Sequence, residues 1–142
     1  MYEKIQSLLQ RRADLMMGGR GAELAEDYVF PLVLYLNEDR LVVGTAAQLV
    51  RIFDGLRRDH QARGVHRIAV EVDAMDLPRN GRFRVWATQR ELSARGWLLG
   101  QCQVVQYCRQ TAEGPRTEMA DYSRCSAAAL WPNGTGRAAL GG

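Results

Sequence analysis

Histidine and cysteine are scarce in this sequence. Among 142 residues there are only His60 and His66, with Cys102, Cys108 and Cys125, and neither set has the spacing of metal ligands, so no metal is expected. An odd cysteine count gives no disulfide framework, and free thiols are the expectation. A catalytic thiolate would need one of the two histidines beside it. Long apolar runs are also missing: none approaches the roughly 20 residues that span a bilayer. The N-terminal stretch "MYEKIQSLLQRRADLMMGG" lacks the basic start and unbroken apolar core of an export signal. Together these absences point to a soluble, cytoplasmic protein with no membrane partner. A basic stripe is absent too. The formal charge is +3 and the pI about 9.0, but apart from pairs such as Arg11-Arg12 and Arg57-Arg58 the arginines lie among acidic residues. That distribution lacks a nucleic-acid footprint. Asn133-Gly134-Thr135 matches a glycosylation pattern but, without a secretory route, reads as a turn.

What is present is the composition of one soluble domain, 46% apolar and 25% charged, long enough to bury a core without staples. Ile5, Leu8, Leu9 and Met16 recur at helical intervals before Gly18-Gly19, which predicts an amphipathic helix over about residues 2 to 17. A short helix, "AELAED", leads into "YVFPLVLYL", a strand by its Val, Phe and Tyr content, with Pro31 marking an edge or a bend. The turn "NEDR" returns the chain through "LVV" as a hairpin.

In "GTAAQLVRIFDGLRRDH" Thr45 and Gln48 have the spacing of a capping box. Ala46, Leu49, Ile52, Phe53 and Leu56 form the buried stripe of the helix, and Gly64 ends it. His60 extends the stripe, either as a packing residue or as part of a pocket.

From His66 the period changes to two. "RIAVEVDAM", "RFRVWATQRELSA", "WLLGQCQVVQYCRQ" and "PRTEMADYSRC" read as four strands of an antiparallel meander, an α+β pattern. A two-residue turn at Arg95-Gly96 sets Ala94 opposite Trp97, Ala87 opposite Val104 and Gln89 opposite Cys102. A "TAEG" loop sets Gln110 opposite Pro115, Gln106 opposite Met119 and Val104 opposite Asp121. One face then collects Phe83, Val85, Ala87, Cys102, Val104, Cys108 and Met119 with Ile68, Val70 and Val72, and should meet the helices. The other carries Arg84, Tyr107 and Glu118, then Thr88, Gln103 and Tyr122, with Trp86 beside Val105 and Ala120. This second face reads as a homodimer interface, or else as a solvated sheet face. Gln89, Gln106, Asp121 and Ser123 fall among apolar neighbours on the first face. There they either line a cavity or satisfy one another, since a buried polar group left unpaired costs about 1–3 kcal/mol.

Three helices, the third opening "GTAAQLVRIF" after "FPLVLYL", followed by a curved antiparallel sheet, resemble the nuclear-transport-factor-2-like superfamily. That superfamily includes ketosteroid isomerases and SnoaL-like proteins, and the resemblance covers residues 2 to 125. It implies a cone-shaped antiparallel sheet packed on three N-terminal helices, a cavity between them, commonly a homodimer, and no obligatory cofactor. It also implies a SnoaL-like domain over residues 1–125, leaving 126–142 as an irregular tail in which Trp131 is a possible anchor. The isomerase's catalytic groups do not carry over. The position of its aspartate base holds Tyr35, its first-helix tyrosine falls near Arg12 or Ala13, and its protonated aspartate falls near Gln106. Proton abstraction beside a carbonyl needs such a base and a donor for the enolate, so steroid isomerase activity is not expected.

Asp121 is the one carboxylate that this register sets on the cavity face. Burial would raise its pKa and suit it to acid–base work, while a structural role bonded to Gln89 or Tyr35 is the alternative. Tyr35 has the same two readings. Two functions follow. One is a SnoaL-like protein binding a small hydrophobic molecule, with acid–base turnover by Asp121 and Tyr35 and ligand contacts from Gln89, Gln106 and Ser123. The other is a non-catalytic homodimerising interaction module.

Overall fold

The computed structural model describes residues 2–36 and 38–125. The tail over 126–142, with Trp131 and Asn133-Gly134-Thr135, lies outside the described residues, and so does the side chain of Ser123. Among the described residues three helices, α1 (Tyr2–Met17), α2 (Gly21–Ala25) and α3 (Ala46–Ala62), accompany six strands: β1 (Tyr28–Leu36), β2 (Asp39–Val43), β3 (Arg67–Met75), β4 (Arg82–Leu92), β5 (Leu98–Thr111) and β6 (Gly114–Cys125). They build the expected α+β cone, a curved, open sheet with helices against its inner face.

The capping box forms as its spacing requires: Thr45 Oγ1 accepts from Gln48 N at 3.2 Å, and Gln48 Oε1 accepts from Thr45 N at 3.2 Å. Gly64, at φ +83°, lets the chain leave α3 through the left-handed region that other residues avoid. Leu49, Ile52, Leu56 and His60 are buried along the helix, whereas Ala46, expected in the stripe, is exposed at its first turn.

The strands are ordered β2-β1-β6-β5-β4-β3. All neighbours are antiparallel except β1 and β6, which pair in parallel. Strand β1 is therefore internal, and Pro31 is tolerated because the β1–β6 ladder shifts register between Tyr28 and Val33. At the far edge α1 closes the open side of β3. Gln6 Nε2 donates to Val70 O at 2.7 Å while its Oε1 accepts from Val72 N at 2.8 Å, and Gln10 does the same one turn on, with Ile68 O at 2.9 Å and Val70 N at 2.8 Å. The two amides stand in for a seventh strand on an edge that would otherwise be a template for aggregation.

The β4–β5 register matches expectation at Ala87–Val104 and Gln89–Cys102, but Leu92 pairs with Leu98, so Ala94 does not face Trp97. Strand β6 departs further. Its pairing begins as expected, Gln110 with Pro115 and Cys108 with Thr117, then shifts so that Tyr107 meets Met119, Gln106 meets Ala120 and Val105 meets Asp121. Glu118 is the extra residue of a bulge, and because side chains alternate, one inserted residue exchanges the faces of everything after it. Ala120 and Tyr122 point inward; Met119 and Asp121 point outward. A second shift sets Cys125 opposite Cys102, where the two form a disulfide with Cα atoms 4.0 Å apart. This corrects the expectation of free thiols, since the pairing depends on that shift and not on sequence spacing. Cys108 is free and buried.

Candidate functional site

Helices α1 and α3 and the inner face of the sheet enclose a cavity of about 80 Å³. A water needs roughly 10–15 Å³ of such space, so there is room for one small organic molecule. The walls are mainly apolar. Leu9, Ala13 and Met16 come from α1, Ile52, Phe53 and Leu56 from α3, Leu34 and Leu36 from β1, and Ile68, Val70, Ala87 and Val104 from the meander.

Polar groups enter at two places. Gln106 lies on β5 with Tyr122 beside it on β6, Tyr28 at the start of β1 and Arg12 from α1; all four line the cavity. Arg12 is 4% exposed. Its Nε lies 3.3 Å from Asp27 Oδ2, Nη1 donates to Thr117 Oγ1 at 2.6 Å and Nη2 to Asp27 O at 3.2 Å, and the guanidinium stacks 5.0 Å from the Tyr28 ring centroid. Burial pushes the Tyr28 phenol far above its ordinary value, Tyr122 adding to the rise and Arg12 opposing it. Burial also raises the Tyr122 phenol, against hydrogen bonding with Gln106 and the charge of Arg12. Both tyrosines are therefore protonated donors at neutral pH. Gln106 is 3% exposed, and its Oε1 is buried with no hydrogen-bond partner.

The second polar group adjoins Gln89, which stands opposite Cys102 and so four residues along β5 from Gln106, about 13 Å at the rise of a strand. His60 also lines the cavity here. Its Nδ1 donates to Leu56 O, its Nε2 lies 3.3 Å from Glu91 Oε2, and Arg63 Nη1 lies 2.9 Å from Glu91 Oε1 as an ion pair not aligned as a hydrogen bond. For Glu91 burial pushes the carboxyl up, but the contacts with His60 and Arg63 outweigh it and hold the group below its ordinary value. Both imidazole nitrogens are engaged within the protein.

Of the sequence-predicted site residues, Gln89 and Gln106 both line the cavity, at its two polar ends. Asp121 and Tyr35 are not. They are lateral neighbours on the outer face, in the row Arg40, Tyr35, Asp121, Val105, Trp86. The inward residues of β1 are Leu34 and Leu36, so counting back from the third helix lands on the wrong parity. The backbone of Ser123 lies in β6. Sequence reasoning missed Tyr122 as a cavity residue, because the bulge at Glu118 has no local signal. It also passed over Arg12, whose place between Leu9 and Met16 on the buried face of α1 was the available clue.

No family model matches the chain, and no curated protein matches its sequence. Its fold is that of the nuclear-transport-factor-2-like superfamily. Among solved structures, the chain is similar to an NTF2-like protein of unknown function from Shewanella oneidensis (10% identity, 84% of this chain and 95% of that one, TM-score 0.66). It is also similar to an NTF2-like protein with a cystatin-like fold from Novosphingobium aromaticivorans (19% identity, 97% and 87%, TM-score 0.59). A third likeness is to a putative calcium/calmodulin-dependent protein kinase II association domain from Xanthomonas campestris (10% identity, 84% and 85%, TM-score 0.59).

Proposed function

We propose that this chain is a SnoaL-like pocket protein that binds a small, largely apolar molecule in its cone. The observation that carries this reading is the apolar cavity with the unpartnered Gln106 Oε1 on its wall: an interior that served packing alone would be filled and its polar atoms satisfied. Binding is favoured over acid–base turnover. The tyrosines are donors held protonated, Arg12 is committed to Asp27 and Thr117, and His60 offers no free nitrogen. The test is a screen of small apolar compounds by NMR on methyl-labelled protein. Saturable shifts at Leu34, Ile52 and Val104 that vanish when Ala87→Leu fills the space support the reading. An unresponsive cavity removes it.

A second role, pairing of two copies through the outer sheet face, is supported by a different observation. Val42, Val33, Met119 and Tyr107 form one row of that face, and Tyr35, Val105 and Trp86 lie in the next. This apolar belt is interrupted by Asp121 and edged by Arg40 and Arg84, the kind of patch that interfaces cover. The association-domain title of one structural neighbour fits it. Sedimentation of the wild-type chain across micromolar concentrations tests it.

A further inference from the structure

The cavity's polar end is specific about what it lacks. Gln106 is almost wholly buried, and the oxygen of its amide accepts nothing. An acceptor left this way in an apolar wall asks for a donor from whatever fills the space. Two phenols, Tyr28 and Tyr122, line the same cavity, each kept protonated by burial and Tyr122 hydrogen-bonded with the Gln106 side chain, so this end of the cavity also holds O–H groups. The nearby cation does not invite an anion, because Arg12 is balanced by Asp27 and tied to Thr117. A carboxylate entering here would be a buried charge without a counter-ion of its own.

We propose that the molecule bound in the cone is a neutral alcohol or phenol of few heavy atoms, whose hydroxyl donates to Gln106 Oε1 and accepts from the phenols of Tyr28 and Tyr122. A hydroxyl supplies one donor and two acceptor sites. A ketone of the same shape leaves Gln106 Oε1 unsatisfied, and so does a hydrocarbon, which also gives the phenols nothing to bond. The apolar remainder of the ligand lies along Leu34, Ile52 and Val104. This assignment rests on the cavity-binding reading above and adds the polarity of the ligand to it.

The experiment titrates the full methyl-labelled chain with cyclopentanol, cyclopentanone, cyclopentane and isobutyrate, following the Leu34, Ile52 and Val104 methyl signals. Cyclopentanol should half-saturate at a concentration about tenfold below that of cyclopentanone, the factor expected of one unsatisfied buried acceptor, with isobutyrate the weakest of the four. In Gln106→Met the alcohol should lose its advantage over the ketone while cyclopentane binds as well as before. The wild-type comparison decides the matter even if that variant fails to fold. Equal or tighter binding of the ketone or the carboxylate, or an alcohol preference that survives Gln106→Met, overturns the proposal while cyclopentane binding leaves the cavity reading standing. Failure of all four compounds to shift these methyls overturns both.

Discussion

Asp121 stands opposite Val105, with Tyr35 on its other side, on the outer face of the sheet. One residue earlier, Ala120 stands opposite Gln106 on the inner face and is fully buried. The bulge at Glu118 thus decides which of two adjacent side chains the cavity receives, and it delivers Tyr122 in place of Asp121. Asp121→Asn should leave cavity binding of a small alcohol within about twofold of wild type, whereas Tyr122→Phe, which removes a donor beside Gln106, should weaken it by about tenfold. Calorimetric titration of both variants checks this pair.

Deleting Glu118 offers a sharper test of the same relationship. Removing the extra residue would make the ladder regular and leave Met119 opposite Tyr107, Ala120 opposite Gln106 and Asp121 opposite Val105, so no side chain beyond it changes face. The deletion should therefore cost no more than about 2 kcal/mol, read as a shift in urea midpoint, and Glu118→Ala, which keeps the bulge, under about 1 kcal/mol.

The paired glutamines of α1 give a prediction about solubility. Gln6 and Gln10 together satisfy two N–H and two C=O groups on the open side of β3. Gln6→Leu or Gln10→Leu should each cost about 1–3 kcal/mol, and the double variant should aggregate at concentrations where the wild type stays clear. Urea unfolding and light scattering measure the two effects.

Glu91 makes stability depend on acid. Its folded-state pKa lies below the ordinary 4.5, so the stabilisation is fully present above that value and is lost as pH falls through the folded pKa. Unfolding midpoints for the wild type should drop as the pH falls below 4.5. Glu91→Gln should be less stable at pH 7 because His60 and Arg63 lose their partner, and its midpoint should fall less steeply over the acid range.

The outer belt predicts the assembly state. Val105→Arg places a charge at the centre of the row that contains Tyr35 and Trp86 and should convert a dimer to monomer without lowering the thermal midpoint of the monomer by more than a few degrees. Sedimentation velocity reads the first and calorimetry the second. A wild-type chain that sediments as a monomer at micromolar concentration contradicts the belt's proposed role.

How far these relationships were legible differs from one to the next, for physical reasons. The limits of β1 and β3 and the start of α3 follow from local signals, namely alternation, glycines and the Thr45–Gln48 spacing, and local signals are what a sequence states directly. The cavity positions of Gln89 and Gln106 were legible because each shares the parity of apolar inward residues on its own strand, Phe83, Val85 and Ala87 on β4 and Cys102, Val104 and Cys108 on β5. Asp121 was misplaced because "TEMADYSRC" has apolar and polar residues at both parities, so a bulge there leaves no trace in the pattern. The parallel pairing of β1 with β6 and the contacts Arg12–Asp27 and His60–Glu91 join residues far apart in the chain. Nothing in the sequence between them announces the meeting. Gln6 and Gln10 give no sign of their role in the sequence, since amides that satisfy a strand edge and amides that face water are the same residues.

The central claim is that a small molecule is held inside the cone, against the inner face of β5. Val104 and Val105 are adjacent residues on opposite faces of that strand, the first 2% exposed beside the cavity and the second in the outer row with Trp86. Intermolecular NOEs from bound cyclopentanol are the direct measurement. Cross-peaks to Val104, Leu34 and Ile52 methyls and none to Val105, Val33 or Val42 are the predicted result, whereas cross-peaks to the Val105 set without the Val104 set would contradict the account.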